Sequence, residues 1–339
     1  MKAVRLHHHG TPDVLVHDDV PEPVPGPGQV LVRVESAGVN YADVMRRRND
    51  PYPFPTVLPF TPGGEVAGTV AALGDGGDGP PVGTPVFALV GDDGSNGYAQ
   101  YALANAPQVI PIPPGLGMDE ASAVVVAGSS AMLLLTAAAR LAPGESIVVQ
   151  GAAGGVGGYA VQLAKLLGAG HVIGAASTPA KREAALALGA DAVVDYTRVD
   201  WPERVRELTG GRGADVVLET SGGEVAGQSL RCLAPFGRLV VQGAASGRPL
   251  TLDRQTVRGL FYDPAPNQSL VAFNVGLWFG LRPEAAIAAL QRLLGFVGSG
   301  QVKVQVNHVL PLSQAAQAHR LLEAREAIGK IVLKPWQEG

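Results

Sequence analysis

The residues with the clearest chemical meaning form the turn Gly151-Ala152-Ala153-Gly154-Gly155-Val156-Gly157. From Ala152 onward this run fits the dinucleotide-binding fingerprint, with alanine in place of the first glycine. Glycine-rich turns are common in a chain with 45 glycines, so context decides what this one means. It follows the apolar strand Ser146–Gln150 and opens a helix over 157–167. In that setting Gly154 lets the backbone approach a pyrophosphate, and Gly157 lets the helix pack on the strand. The helix N-terminus then presents unpaired N–H groups to the anion. Ala153, Gly154, Gly155 and Val156 are therefore expected cofactor contacts. A site built for NAD places an acid ~20 residues further on, to accept from the ribose 2′-hydroxyl. Here that window reads Ile173-Gly174-Ala175-Ala176-Ser177-Thr178, without an acid, and Lys181 and Arg182 follow. A missing carboxylate and an added cation favour a 2′-phosphate. NADPH is the expected cofactor, with Ser177 and Lys181 on its phosphate.

The surrounding text shows what must position this turn. From about residue 122 a long apolar helical stretch runs to about 140, and strands and helices then alternate. Strands are expected at 146–150, 171–175, 192–194, 214–218, 238–242 and 257–262, with helices of about 8–12 residues between them. Short apolar strands joined by helices argue for a parallel sheet buried on both faces. Six of them fit the doubly wound α/β fold with strand order 3-2-1-4-5-6. Residues 1 to about 120 read differently, as strand and turn text rich in Pro and Gly. The last segment adds helix 283–294, strand 301–308, helix 313–324 and strand 330–333. It is expected to return to the first domain, giving one domain of 1–121 with 266–339 and a dinucleotide domain of 122–265.

Composition removes several classes of function. Hydrophobic residues are 46% and charged residues 17%, which describes a globular chain and not a disordered one. The formal net charge is −4, and Arg46-Arg47-Arg48 is the one basic run; it is expected to be a solvated face, so no nucleic-acid partner follows. A single cysteine, Cys232, excludes an intrachain disulfide and a multi-cysteine metal site, and it is expected to be inert. The N-terminus reads as a strand without a signal-peptide core, and no run reaches ~18 uninterrupted apolar residues. A cytoplasmic protein without a membrane partner is expected.

The order of the domains resembles the medium-chain dehydrogenase/reductase superfamily, with a GroES-like β-rich catalytic domain and a Rossmann domain. Zinc-dependent members carry a Cys where this chain has Asn40 and a Gly-His-Glu where it reads Gly63-Gly64-Glu65; Ala127 lies in the third-ligand region. A catalytic zinc needs three ligands from Cys, His and carboxylates. No metal is expected. Within the superfamily the chain is similar to the zinc-free quinone oxidoreductases, the zeta-crystallin-like group. The carrying residues are Gly38-Val39-Asn40-Tyr41-Ala42-Asp43-Val44-Met45-Arg46-Arg47, Pro62-Gly63-Gly64-Glu65-Val66-Ala67-Gly68, Ala152–Gly157, Leu188-Gly189-Ala190-Asp191 and Gly329-Lys330-Ile331-Val332-Leu333-Lys334. The resemblance implies NADPH-dependent reduction of quinones or related conjugated carbonyls, often by a homodimer. It places Lys181 and Tyr196 on the 2′-phosphate and Asn40 and Ser130 near the nicotinamide. Gly243, Phe273 and Asn274 complete the expected cofactor contacts.

Without a metal, the charge that builds on the acceptor oxygen needs a hydrogen-bond donor within about 3 Å. Asn40 and Tyr41 are the candidates. Tyr52-Pro53-Phe54-Pro55 and the aromatic segment 273–279 are the candidates to line the acceptor site, although the second also suits a core helix or a dimer contact. Two other readings stand. The Asn40–Asp43 and Ala152–Gly157 text is also similar to polyketide-type enoylreductase domains, where Tyr41 would protonate the α-carbon of an enoyl thioester. Those domains tend to carry a His where this chain has Gln150, which favours the quinone reading. The more distant reading is a non-catalytic NADPH-binding protein.

Overall fold

The computed structural model describes residues 1–262 and 266–337. The chain divides into two compact units, Met1–Ala127 with Val297–Gly339, and Gly128–Phe296.

The first unit is built mainly on antiparallel strands, with one parallel pair at the edge formed by the last two strands of the chain. Strands β1 (Lys2–Leu6) and β2 (Leu15–Asp19) form a hairpin pair. Then come β3 (Gln29–Val39), helix α1 (Tyr41–Arg48), β4 (Glu65–Leu73), β5 (Pro85–Leu89), β6 (Tyr101–Asn105) and β7 (Val109–Pro111). The helix α2 (Met118–Leu133) runs across the division between the units. Residues Met118–Ala138 are long and apolar enough to cross a membrane by length and composition, yet 78% of their most apolar window is buried within the protein.

The second unit holds β8 (Ser146–Gln150), α3 (Gly155–Leu166), β9 (His171–Ala175), α4 (Pro179–Ala187), β10 (Ala192–Val194), α5 (Trp201–Leu208), β11 (Ala214–Glu219), α6 (Gly223–Arg231), β12 (Leu233–Val241), α7 (Arg254–Phe261), β13 (Ser269–Ala272), α8 (Val275–Leu281) and α9 (Pro283–Gly298). Its six strands are all parallel, in the order β10-β9-β8-β11-β12-β13. Numbered within the unit, that is 3-2-1-4-5-6. β8 and β9 are buried at four consecutive positions each, as strands covered on both faces must be. Cys232 is buried in this core and its thiol is pushed well up by that burial. The chain then gives β14 (Val306–Pro311), α10 (Ala315–Glu323) and β15 (Lys330–Lys334) back to the first unit, where β15 pairs antiparallel with β3.

Three expectations are corrected. Residues 257–262 are not the sixth strand: they fall in α7, whose start is fixed by Asp253, its side chain accepting from Thr256 N–H at 2.7 Å. An apolar run that short does not separate strand from helix, and the capping residue decides. The sixth strand is β13. Because β13 extends the parallel sheet, residues 266–296 belong to the dinucleotide unit and the return to the first unit begins later than 266. Leu293 on α9 also packs tightly against Gly128 in that unit, where a Cβ would lie 2.4 Å from its side chain. Finally, the strand expected at 301–308 is displaced to Val306–Pro311.

Two helical glycines test how the turn is built. A Cβ on Gly157 would lie 2.1 Å from the Gly151 carbonyl oxygen, whereas one on Gly227 of α6 would meet nothing within 4 Å. Gly157→Ala should therefore destabilise the protein by ~2 kcal/mol or more through backbone overpacking. Gly227→Ala should stabilise it by ~0.5–1 kcal/mol through lost chain entropy. Urea unfolding of both variants checks the signs, and equal shifts would contradict the packing argument.

Candidate cofactor and reaction sites

In the second unit the glycine turn begins where β8 ends. Gly151 has φ +60°, a left-handed conformation natural to glycine, and its carbonyl accepts from Gly154 N–H at 2.7 Å. Gly154 is the N-cap of α3 and provides no side chain to satisfy the first helical N–H groups. Those donors have no acceptor within the helix. Ala152 and Ala153 are buried beneath them. A cradle of backbone donors with no Cβ in the way fits a pyrophosphate.

The other expected cofactor residues mostly follow strand ends of the same sheet. Ser177 lies two residues beyond β9, and Lys181 lies in the first turn of α4, where Thr178 Oγ1 accepts its N–H at 3.3 Å. Tyr196 lies two residues beyond β10, 8% exposed and packed with Val194, Trp201 and Val205. Gly243 lies two residues beyond β12. Phe273 follows β13 directly, its N–H donating to Val241 O at 2.9 Å and its ring stacked 6.5 Å from Trp278. Asn274 caps α8: its Oδ1 accepts from Gly276 N–H at 2.9 Å and Leu277 N–H at 3.4 Å, so that oxygen is engaged within the fold. Ser130 stands apart from the strand ends, buried in α2.

Sequence reasoning passed over the end of β11, the strand beside β8 at the point where the order reverses. Buried Glu219 accepts there from Ser221 and Gly222 N–H groups, both at 2.8 Å, while its Oε2 has no partner. Burial raises its carboxyl above the usual range. Gln150 donates to Ser229 Oγ at 2.6 Å and accepts from Thr220 N–H at 3.4 Å, so it braces β8, β11 and α6. The rule that ligands meet the carboxyl ends of parallel strands would have pointed to this segment.

In the first unit Asn40 and Tyr41 start α1. Asp43 reaches back to Asn40 N–H at 2.9 Å, a reciprocal cap for the helix. The Asn40 amide is held on both sides: Nδ2 donates to Glu65 Oε1 at 2.8 Å, and Oδ1 accepts from Lys330 Nζ at 2.6 Å. Lys330 also donates to Glu65 Oε1 at 2.8 Å and to Val39 O at 3.0 Å, and Glu65 Oε2 accepts from Val126 N–H at 2.8 Å. Both charged partners are buried, Lys330 at 4% and Glu65 at 0% exposure. Gly38 makes this close packing feasible, since a Cβ there would lie 2.2 Å from Ser122 O and 2.7 Å from Glu65. Burial raises the Tyr41 phenol, which therefore stays protonated at neutral pH.

Next to this triad, burial pushes Asp43 up to about 6, against hydrogen bonds from Asn40 and Gly63 N–H and from the Tyr98 hydroxyl. Tyr98 in turn lies 3.4 Å from His319, which burial and the Arg47 charge push down to about 3. The arginine run is not a solvated face. Arg46 pairs with Asp93 at 2.6 Å and lies over the Phe60 ring, and Arg47 pairs with Glu323 at 2.6 Å; both are buried. Partners drawn from far along the chain supply the compensation that no local pattern reveals.

The family profile for the alcohol dehydrogenase GroES-like domain matches residues 26–114, and that for zinc-binding dehydrogenases matches residues 155–265. A quinone oxidoreductase of Pseudomonas aeruginosa is 34% identical over 337 residues, covering 98% of this chain and 99% of that one. The chain belongs to the medium-chain dehydrogenase/reductase superfamily, in its quinone oxidoreductase group. It is an oxidoreductase with a GroES-like unit and a Rossmann unit. A 2-haloacrylate reductase of a Burkholderia species is likewise 34% identical, over 98% of both chains. The structure of Escherichia coli quinone oxidoreductase complexed with NADPH superposes with a TM-score of 0.88 at 29% identity, covering 99% of this chain and 100% of that one.

The positions that ligate zinc in the zinc-dependent members of this superfamily do not fit that metal here. Asn40 is no thiolate and Ala127 has no donor atom. A Cβ on Gly64 would lie 3.2 Å from Gly94 O, so an imidazole there requires the backbone to move. The carboxylate between these positions, Glu65, is already paired with an ammonium. Lys330→Met should leave Glu65 buried without its counter-charge and cost ~3–5 kcal/mol. Adding Glu65→Gln should recover most of that loss in urea unfolding. A double variant no more stable than Lys330→Met would show that the ion pair is not the cause.

Proposed function

We propose that this protein is an NADPH-dependent reductase that passes hydride to a quinone or a related conjugated carbonyl without a metal. The observation that carries the reading is the buried Lys330 ammonium bound to Asn40 and Glu65 in the region that holds zinc in other members. NADPH, when bound, supplies the hydride. The named activities of the two curated relatives share a feature, an acceptor whose double bond is conjugated to an electron-withdrawing group.

In this proposal Ala153, Gly154, Gly155 and Val156 bind the pyrophosphate. Ser177, Lys181 and Tyr196 take the 2′-phosphate. Gly243, Phe273 and Asn274 border the cofactor at the β12 and β13 strand ends, and Ser130 serves the nicotinamide end. Tyr41 and Asn40 act toward the acceptor. The protonated phenol of Tyr41 can donate to a developing oxyanion but not accept from it. Asn40 keeps one amide N–H beyond the bond to Glu65, and its orientation is set in advance by the two bonds already made. A quinone needs little more, because water can protonate its reduced form. Binding and orientation then supply most of the rate enhancement.

Steady-state NADPH oxidation against quinones, 2-haloacrylates and enoyl-CoA thioesters tests the reading. Turnover of quinones or other free conjugated carbonyls is expected. Turnover of the thioesters alone would favour enoyl-thioester reduction, and binding without turnover on any acceptor would favour a non-catalytic role.

The same reading includes a homodimer and a cytoplasmic, water-borne protein. β13 ends the parallel sheet, with no strand on its outer edge among the described residues. The elements that flank it expose large apolar side chains, Tyr262 at 82% and Leu281 at 74%. Such an edge with apolar neighbours invites pairing with a second copy. Sedimentation should give a dimer for the wild type and a monomer for Leu281→Glu with Tyr262→Glu; a monomeric wild type would refute it.

A further inference from the structure

The carboxyl edge of the parallel sheet is not free of acid, although the β9–α4 turn is. Asp195 follows β10 directly and sits between Val194 and Tyr196. β10 pairs with β9 in register, Val194 opposite Ala175, so Asp195 lies beside the segment Ala176-Ser177. A carboxylate beside this turn can do what the acid of an NAD site does: accept from a ribose 2′-hydroxyl and repel a 2′-phosphate.

Neither oxygen of Asp195 is left for that purpose. Oδ1 accepts from Thr197 N–H at 3.0 Å and from the Thr197 hydroxyl at 2.6 Å. Oδ2 faces Arg182 Nη1 at 2.9 Å. The same Arg182 nitrogen donates to Ala176 O at 3.2 Å, so one guanidinium ties together the two neighbouring strand ends. Both side chains are about one-fifth exposed, which screens the pair less than a fully solvated one. Burial works to raise the Asp195 carboxyl, yet the Thr197 bonds and Arg182 hold it below its ordinary value, so it is charged at neutral pH.

We infer that Arg182 is a cofactor-specificity residue that masks Asp195, cancelling the one carboxylate at this strand end that would otherwise select NADH. The inference rests on the NADPH reading above. In it Lys181 supplies the attraction for the 2′-phosphate, and Arg182 removes the repulsion. Arg182 therefore acts through Asp195 as a positioning and charge-compensating residue.

Calorimetric titration of the full chain with NADPH, NADH, 2′,5′-ADP and 5′-AMP tests this independently of any acceptor. The wild type should prefer NADPH to NADH and 2′,5′-ADP to 5′-AMP. Arg182→Ala should weaken both 2′-phosphorylated ligands by ~10-fold or more, the scale of one uncompensated charge near a surface, and leave NADH and 5′-AMP equal or tighter. Asp195→Asn added to Arg182→Ala should restore most of the lost affinity, and Arg182→Lys should retain most of it. Equal loss for all four ligands in Arg182→Ala would assign Arg182 a purely structural role and overturn the mask. An unchanged ratio in Arg182→Ala, or no recovery on adding Asp195→Asn, would overturn it as well while leaving the NADPH reading in place. A wild type that binds NADH as tightly as NADPH would overturn both.

Discussion

The Lys330–Glu65 ion pair is buried and joins distant parts of the first unit. The pair and the groups bonded to it come from four separate parts of the chain: β15, the start of β4, the end of β3 with Asn40, and α2. Burying two charges is costly, and attraction offsets that cost only when the remaining donors and acceptors are also satisfied. Here Lys330 Nζ meets three acceptors, and both Glu65 oxygens are bonded. Asn40 is fixed as a consequence, because its amide completes both ends of the pair. An ammonium brings positive charge to this place without the open coordination position of a metal. In the proposed reduction, the chemistry at this place is hydrogen-bond donation from groups already held in position.

The second unit depends on a different constraint, the order of its parallel strands. With β8 and β11 adjacent, the helices that follow them leave on opposite faces, and the strand ends between them stay accessible. Gly151, Gly154 and Gly157 then let the backbone itself form the surface proposed to bind the pyrophosphate. A side chain at Gly157 would push α3 off the turn that it must touch. The cofactor site is thus a property of sheet topology first and of individual side chains second.

Features encoded by short stretches were legible in the sequence. The strands 146–150, 171–175 and 192–194 were placed to the residue, because each is an apolar run bounded by glycine or polar breaks. The strand order was legible although one of the six strands that it was counted from, 257–262, is helical, and the glycine turn was legible from its own residues together with the strand before it. Glu65 and Lys330 were singled out as motif residues, but their bond links positions 265 apart and no local pattern announces it. The same holds for Arg47, which is buried because Glu323 reaches it from α10, and for the Tyr98–His319 contact. The stretch 257–262 misled because its apolar content suits either element, and only the cap at Asp253 separates them.

The two units share a way of settling what they do not bind. In each, a carboxylate stands close to a proposed site, Glu65 beside Asn40 and Asp195 beside the β9–α4 turn. In each, a cation of the chain itself takes that carboxylate first. The geometry differs with the environment. Glu65 is buried at 0% exposure and is matched by a compact ammonium that meets three oxygens at once. Asp195 is partly solvated and is matched by a guanidinium that also holds the neighbouring strand end. A lysine suits the first site because one point charge with three donors can saturate a small buried cluster. An arginine serves the second, where its Nη1 alone meets both the Asp195 carboxylate and the Ala176 carbonyl. Selectivity in this protein is written as much in the acids it silences as in the groups it presents.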